Sequence, residues 1–160
     1  MTLIRLPTAF QVGECVRKLT RRDVEVALLA KPAATPLPYG GTFHGGDRAV
    51  VAMCAADLAF AAFTGAALSL IPAESARERM AAGALDEMLE ENFAEVLNVL
   101  ARIFVVAEST RMTLLEPVFP PRALPVAPTP GPAPAAILRG DYRIDIDGYG
   151  VGHLALWSLA

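Results

Sequence analysis

One line of polar side chains carries the residue types that could do chemistry in this sequence. Glu91, Glu95, Asn98 and Arg102 follow one another at spacings of four, three and four residues, which places them on one face of a helix. A carboxylate such as Glu95 can form an ion pair with a cation of a partner, and the Asn98 amide beside it can hydrogen-bond a water molecule. Both groups could then act on one phosphoryl group, because its hydrolysis depends mainly on placing a water and stabilising developing charge. The alternative interpretation is a solvated helix face without chemistry.

The segment that must position this line is residues 85–104, which we predict to be a long amphipathic helix. Its apolar residues fall within one broad arc at about 100° per residue, opposite the polar line. That arc must be buried against the rest of the domain. It consists of Leu89, Phe93, Val96, Leu97, Leu100, Ile103 and Phe104.

A longer pattern surrounds the Glu95 and Asn98 pair. It reads as an acidic residue, three residues, Glu95, two residues, Asn98, twenty-two residues and then Pro121. The pattern resembles the signature of the CheC/CheX/FliY family of chemotaxis phosphatases. The family usually has Asp or Ser where this chain has Glu91, and Gly or Ala where it has Leu97.

The resemblance implies a phosphatase that removes the phosphoryl group from the phospho-aspartate of a CheY-type response regulator. Asn98 would orient the attacking water and Glu95 would engage a lysine of the regulator, with Glu91, Arg102 and Pro121 as partner contacts. The regulator's receiver domain would supply the magnesium, so the chain would need no metal or cofactor of its own. Only one such site is expected, because at the comparable place in the first helix Glu14 is followed three residues later by Arg17.

The competing hypothesis is a non-catalytic interaction module of the same fold. It would dock a receiver domain, another signalling protein or a second copy of the chain. The two hypotheses differ at Asn98, since water placement tolerates no alanine there, whereas a docking face would lose only part of its affinity. A small-ligand-binding domain remains a third alternative, for which the sequence offers no marker.

Length, net charge and cysteine spacing limit the classes of protein to which this chain could belong. With 160 residues the chain is long enough for one domain with a sizeable core. With a net charge of −3, the chain lacks the positive electrostatic potential that attracts the phosphates of a nucleic acid, so we do not expect nucleic acid as a partner. Cys15 and Cys54 lack metal-type spacing, and the N-terminus lacks a secretory pattern, so we expect a cytoplasmic protein without a metal site.

Residues 49–72 are apolar enough for a membrane span to be considered. Asp57 is their only charge, and much of their apolar content is alanine and glycine, which contribute little to insertion. We therefore predict a buried strand followed by a buried helix whose N-cap is Asp57, and no membrane span. Replacement of Asp57 by alanine should then cost about 1 kcal/mol.

The remaining elements complete an α+β prediction. We expect a single domain with a mainly antiparallel sheet of about five or six strands, covered on one face by long helices. Proline density predicts a surface excursion over residues 117–136, and free sheet edges predict a homodimer. The predicted helices are 9–22, 57–70, 73–82 and 85–104. The predicted strands are 24–29, 49–56, 111–119, 142–146 and 151–156, of which the last two form a hairpin. Residues 31–48, which include His44, are predicted to be a mobile loop.

Overall fold

The computed structural model describes residues 4–44, 50–106, 112–124 and 138–158. Within these residues the helices match the predicted ones to within a few positions. They are α1 (Ala9–Thr20), α2 (Leu58–Leu68), α3 (Ala73–Met80) and α4 (Glu87–Leu100), and α4 continues into a 3₁₀ turn at Ala101–Ile103.

The strands form one large sheet and one small one. The large sheet has six strands in the order β2-β7-β8-β4-β3-β6, and every neighbouring pair is antiparallel. Strands β1 and β5 pair separately. This arrangement confirms the predicted α+β fold. The strands are β1 (Ile4–Arg5), β2 (Val24–Leu28), β3 (Tyr39–His44), β4 (Val50–Ala56), β5 (Val105–Val106), β6 (Thr113–Val118), β7 (Leu138–Ile146) and β8 (Gly150–Ser158).

Side chains alternate between the two faces of this sheet. Along β4, Cys54 faces the helices and joins the main core, whereas Met53 and Ala55 belong to a smaller apolar cluster on the opposite face. Along β8, Leu156 and Trp157 divide in the same way. The helices therefore cover one face of the sheet, where the main core lies.

Local signals explain where α1 begins and ends. Thr8 and Gln11 form a capping box, in which the Thr8 hydroxyl accepts from the Gln11 N–H at 3.1 Å and the Gln11 side chain accepts from the Thr8 N–H at 2.8 Å. Arg21 then takes a left-handed conformation and ends the helix. Both signals are local in sequence, which is why this helix could be predicted.

The predicted loop at residues 31–48 was wrong over 39–44, which form β3. This strand pairs with β4 on one side and β6 on the other. A Cβ at Gly40 would lie 2.2 Å from the Cys54 carbonyl oxygen, so glycine at this position allows β3 and β4 to approach closely. His44 ends β3, and its Nε2 lies 3.0 Å from the Thr113 hydroxyl.

Strand β6 contains Pro117 and lies at an edge of the large sheet, the position that proline tolerates because it lacks an N–H. The chain then packs Phe119 against Tyr39 and against Phe93 of α4. The rest of the predicted excursion, residues 125–136, lies outside the described residues.

The described part of the apolar segment, residues 50–72, contains β4 and α2, and Asp57 caps α2 as predicted. No helix among the described residues combines the length and the apolar character needed to cross a membrane.

Candidate functional site

The predicted apolar arc of α4 is buried. The helix begins after Asp86, whose carboxylate accepts from the Leu89 N–H at 2.9 Å. Of the arc residues only Ile103 is partly exposed. Burial on this side fixes which side of α4 faces solvent.

The four polar residues that the sequence singled out lie together on the solvent side of α4. Glu91, Glu95 and Asn98 are exposed, as is Arg102 in the 3₁₀ turn that follows. None of their side chains is engaged in a hydrogen bond or ion pair with another described residue. In the part of the chain that the structure describes, all four polar groups therefore face solvent.

Glu95 and Asn98 are one helical turn apart, so their side chains project side by side. The Glu95 carboxylate can accept from a cation, and the Asn98 amide can both donate to and accept from a water. Since both side chains are open to solvent, a phosphoryl group carried by a partner can reach them. Their catalytic roles remain a prediction.

Helix α4 is held in place by α2 beneath it. The Asn92 amide donates to the Gly65 carbonyl at 2.9 Å and to the Ser69 hydroxyl at 2.7 Å. A Cβ at Gly65 would lie 3.2 Å from the Leu89 carbonyl oxygen, which shows how closely the two helices approach. Sequence reasoning missed Asn92, because only the contact with α2 distinguishes it from a solvated residue.

Pro121 lies at a different groove. This groove has a volume of about 590 Å³ and is lined in part by Ala55, Leu124, Arg139 and Trp157. Ala55 and Trp157 face away from the helices, so the groove opens on the opposite face of the sheet. The structure therefore groups Pro121 with this second face, and its predicted contact with a partner at Glu95 and Asn98 stays a prediction.

A cleft between α1 and the C-terminal end of α4 was not predicted. Its volume is about 700 Å³, and its lining includes Phe10, Cys15, Lys18, Val99 and Arg102. Phe10 lies in the first turn of α1, yet 72% of it is exposed. Val12 and Val16 of the same helix are buried. This cleft adjoins the polar line, since Arg102 belongs to both.

Titratable groups suited to metal binding are scattered in the structure. Across the described residues, no cluster of three or more His, Cys, Asp and Glu could hold a metal ion. Burial raises the pKa of Cys15 to about 11 and that of Cys54 to about 12, and nearby Lys18 offsets part of the first shift. Both thiols are therefore protonated at neutral pH.

No family model matches the chain, and no curated protein matches it. Solved structures do. The FliM middle domain from H. pylori matches with a TM-score of 0.56 at 12% identity, over 94% of this chain and 84% of that chain. Thermotoga maritima FliY matches with a TM-score of 0.51 at 9% identity, over 94% and 83% of the two chains.

A chain of the FliM-SpeE complex from H. pylori also matches, with a TM-score of 0.51 at 10% identity, over 94% of this chain and 81% of that chain. At such identities the likeness shows the fold alone. The resemblance to the CheC/CheX/FliY family is thus confirmed as a likeness of fold.

Proposed function

We propose that the protein is a phosphatase that hydrolyses the phospho-aspartate of a CheY-type receiver domain. The observation that carries this proposal is the pair Glu95 and Asn98, whose exposed side chains bond to no other described residue and lie side by side on a helix fixed by the core. The signature that these residues share with the CheC/CheX/FliY family, together with the fold shared with FliY, connects the pair to this chemistry.

The reaction breaks the bond between phosphorus and the aspartyl oxygen and forms a bond between phosphorus and a water oxygen. The aspartate leaves as a carboxylate and inorganic phosphate is released. In this proposal Asn98 holds the water in line with the leaving oxygen, and Glu95 pairs with a lysine of the receiver domain. The magnesium and the remaining positive charges belong to the receiver domain.

The second candidate is the interaction module without hydrolysis. The cleft beside Arg102 favours it, because a groove with an exposed aromatic is typical of a docking surface. FliM, which shares the fold, has been crystallised in complex with SpeE. In this case Glu95 and Asn98 would contribute to affinity alone.

The test is the decay of a phosphorylated receiver domain with magnesium present, followed with wild type and single variants. Asn98→Ala should lower the rate about a hundredfold if water placement contributes about 3 kcal/mol. Its fold should be unchanged, because the Asn98 side chain is exposed and makes no hydrogen bond to a described residue. Glu95→Ala should chiefly raise the receiver concentration needed for half-maximal rate.

Glu78→Ala is the matched control, since Glu78 is an exposed helical acid on α3. It should leave the decay rate unchanged. Several receiver domains should be tried, because one failure can reflect specificity. Equal decay with wild type and Asn98→Ala would contradict the catalytic proposal, and binding of a phosphorylated receiver without faster decay would favour the interaction module.

A further inference from the structure

We propose that the cleft between α1 and α4 binds an acidic segment of a partner protein, which inserts one bulky apolar side chain. Neither Glu95 nor Asn98 lines the cleft, and the proposal stands whether or not the protein hydrolyses a phosphoryl group. It rests on the apolar lining of the cleft, on two exposed cations that pair with no other described residue, and on its continuity with the exposed face of α4.

The apolar residues that line the cleft are buried at its base and exposed along one wall. Cys15 and Phe104 are 6% and 4% exposed, whereas Phe10, in the first turn of α1, is 72% exposed. An apolar side chain placed in the cleft would cover the Phe10 ring and contact Val99 and Ile103 of the opposite wall. The Cys15 thiol leaves the floor uncharged, because burial raises its pKa to about 11.

Among the residues that line the cleft, the charged side chains without a described ion-pair partner are positive. Its acid, Glu14, is held by Arg17 at 2.6 Å, and Arg17 also donates to the Val24 carbonyl at 2.7 Å. Lys18 and Arg102 are exposed and pair with no other described residue. On a chain with a net charge of −3, this cleft is therefore a local positive site that complements carboxylates.

The surroundings of the cleft favour a protein segment as its occupant. Two helices form its walls, which is the geometry in which grooves receive a peptide through a few apolar anchors. Arg102 also ends the exposed polar line of α4, so a partner seated in the cleft would continue onto that face. The two surfaces together offer one contiguous interface.

A defined peptide tests the proposal with the full chain. The probe is a fluorescein-labelled synthetic peptide with a central Phe flanked on both sides by Glu, followed by fluorescence anisotropy. We expect saturable binding that weakens at higher salt. Phe10→Ser and the double variant Lys18→Glu with Arg102→Glu should each weaken binding by about tenfold or more.

The matched control is Lys31→Glu with Arg143→Glu, which makes the same change in net charge at exposed positions away from the cleft. It should bind the peptide within about twofold of wild type, as expected for screened distant charges. Thermal unfolding of each variant checks that the fold persists. Because Phe10, Lys18 and Arg102 are all exposed, their replacement should preserve it.

Four outcomes would overturn the proposal. The first is absence of binding, and the second is equal weakening by the control variant, which would mean unspecific charge attraction. The third is equal binding of a peptide with Ser in place of Phe, which would remove the apolar anchor. Binding of laurate without binding of the peptide would also overturn it, in favour of an anionic lipid.

Discussion

At the scale of single residues, Asp57 joins a helix to a strand. Its carboxylate accepts from the Phe60 N–H at 2.8 Å and from the His153 N–H of β8 at 3.1 Å, and it lies 2.9 Å from His153 Nδ1. Asp86 is an N-cap as well, but its side chain is 45% exposed, against 9% for Asp57. The two caps therefore differ in how much of the structure depends on them.

We predict that Asp57→Ala lowers the free energy of unfolding by about 2 to 4 kcal/mol. The loss exceeds that of a cap alone, because the buried N–H of Phe60 and the part-buried N–H of His153 would both lose their acceptor. Asp86→Ala should cost about 1 kcal/mol. Urea denaturation of both variants gives the comparison, and equal losses would contradict the role assigned to the contact with β8.

At the scale of elements, α2 lies unusually close to β8. A Cβ at Gly152 would lie 2.6 Å from Phe60 Cα, and backbone atoms cannot move aside as a flexible side chain can. By contrast, a Cβ at Gly13 in α1 would lie 3.5 Å from the nearest atom, a Val26 methyl group. The same substitution should therefore have opposite effects at the two positions.

We predict that Gly152→Ala destabilises the protein by about 1 to 3 kcal/mol through overpacking. Gly13→Ala should stabilise it by about 0.5 to 1 kcal/mol, because alanine is the better helix former. The measurement is the urea midpoint of each variant. A neutral Gly152→Ala would show that α2 can move away from the sheet.

The sequence predicts those elements whose signals are local. Helix α2 follows from Asp57 and the apolar run after it, and the β7–β8 hairpin follows from Asp147 and Gly148, where φ is +80°. Strand β3 was not predicted, because glycines such as Gly40 usually indicate a turn, and only the folded structure shows that Gly40 lies against the Cys54 backbone. The site follows the same rule. The polar line on α4 could be predicted from helical periodicity, whereas the cleft could not, because it depends on where α1 packs against α4.

At the scale of the whole molecule, the two edges of the large sheet differ in how well they are protected. At the β6 edge, Pro117 lacks an N–H, and Arg122 folds back to pair with Glu116 at 3.1 Å. At the other edge, β2 contains no proline and pairs, among the described strands, with β7 alone. Leu28 at the end of β2 is 63% exposed.

We therefore predict that the homodimer expected from the sequence forms through β2, two copies of which would pair antiparallel across a twofold axis. Sedimentation velocity at micromolar concentration should show a dimer. Leu28→Lys should shift it to monomer without unfolding, because a lysine at the edge opposes pairing.

Leu70→Lys is the matched control, since Leu70 is 79% exposed and follows α2, away from β2. A wild-type monomer would contradict the dimer, and a dimer equally stable in both variants would exclude β2 as its interface.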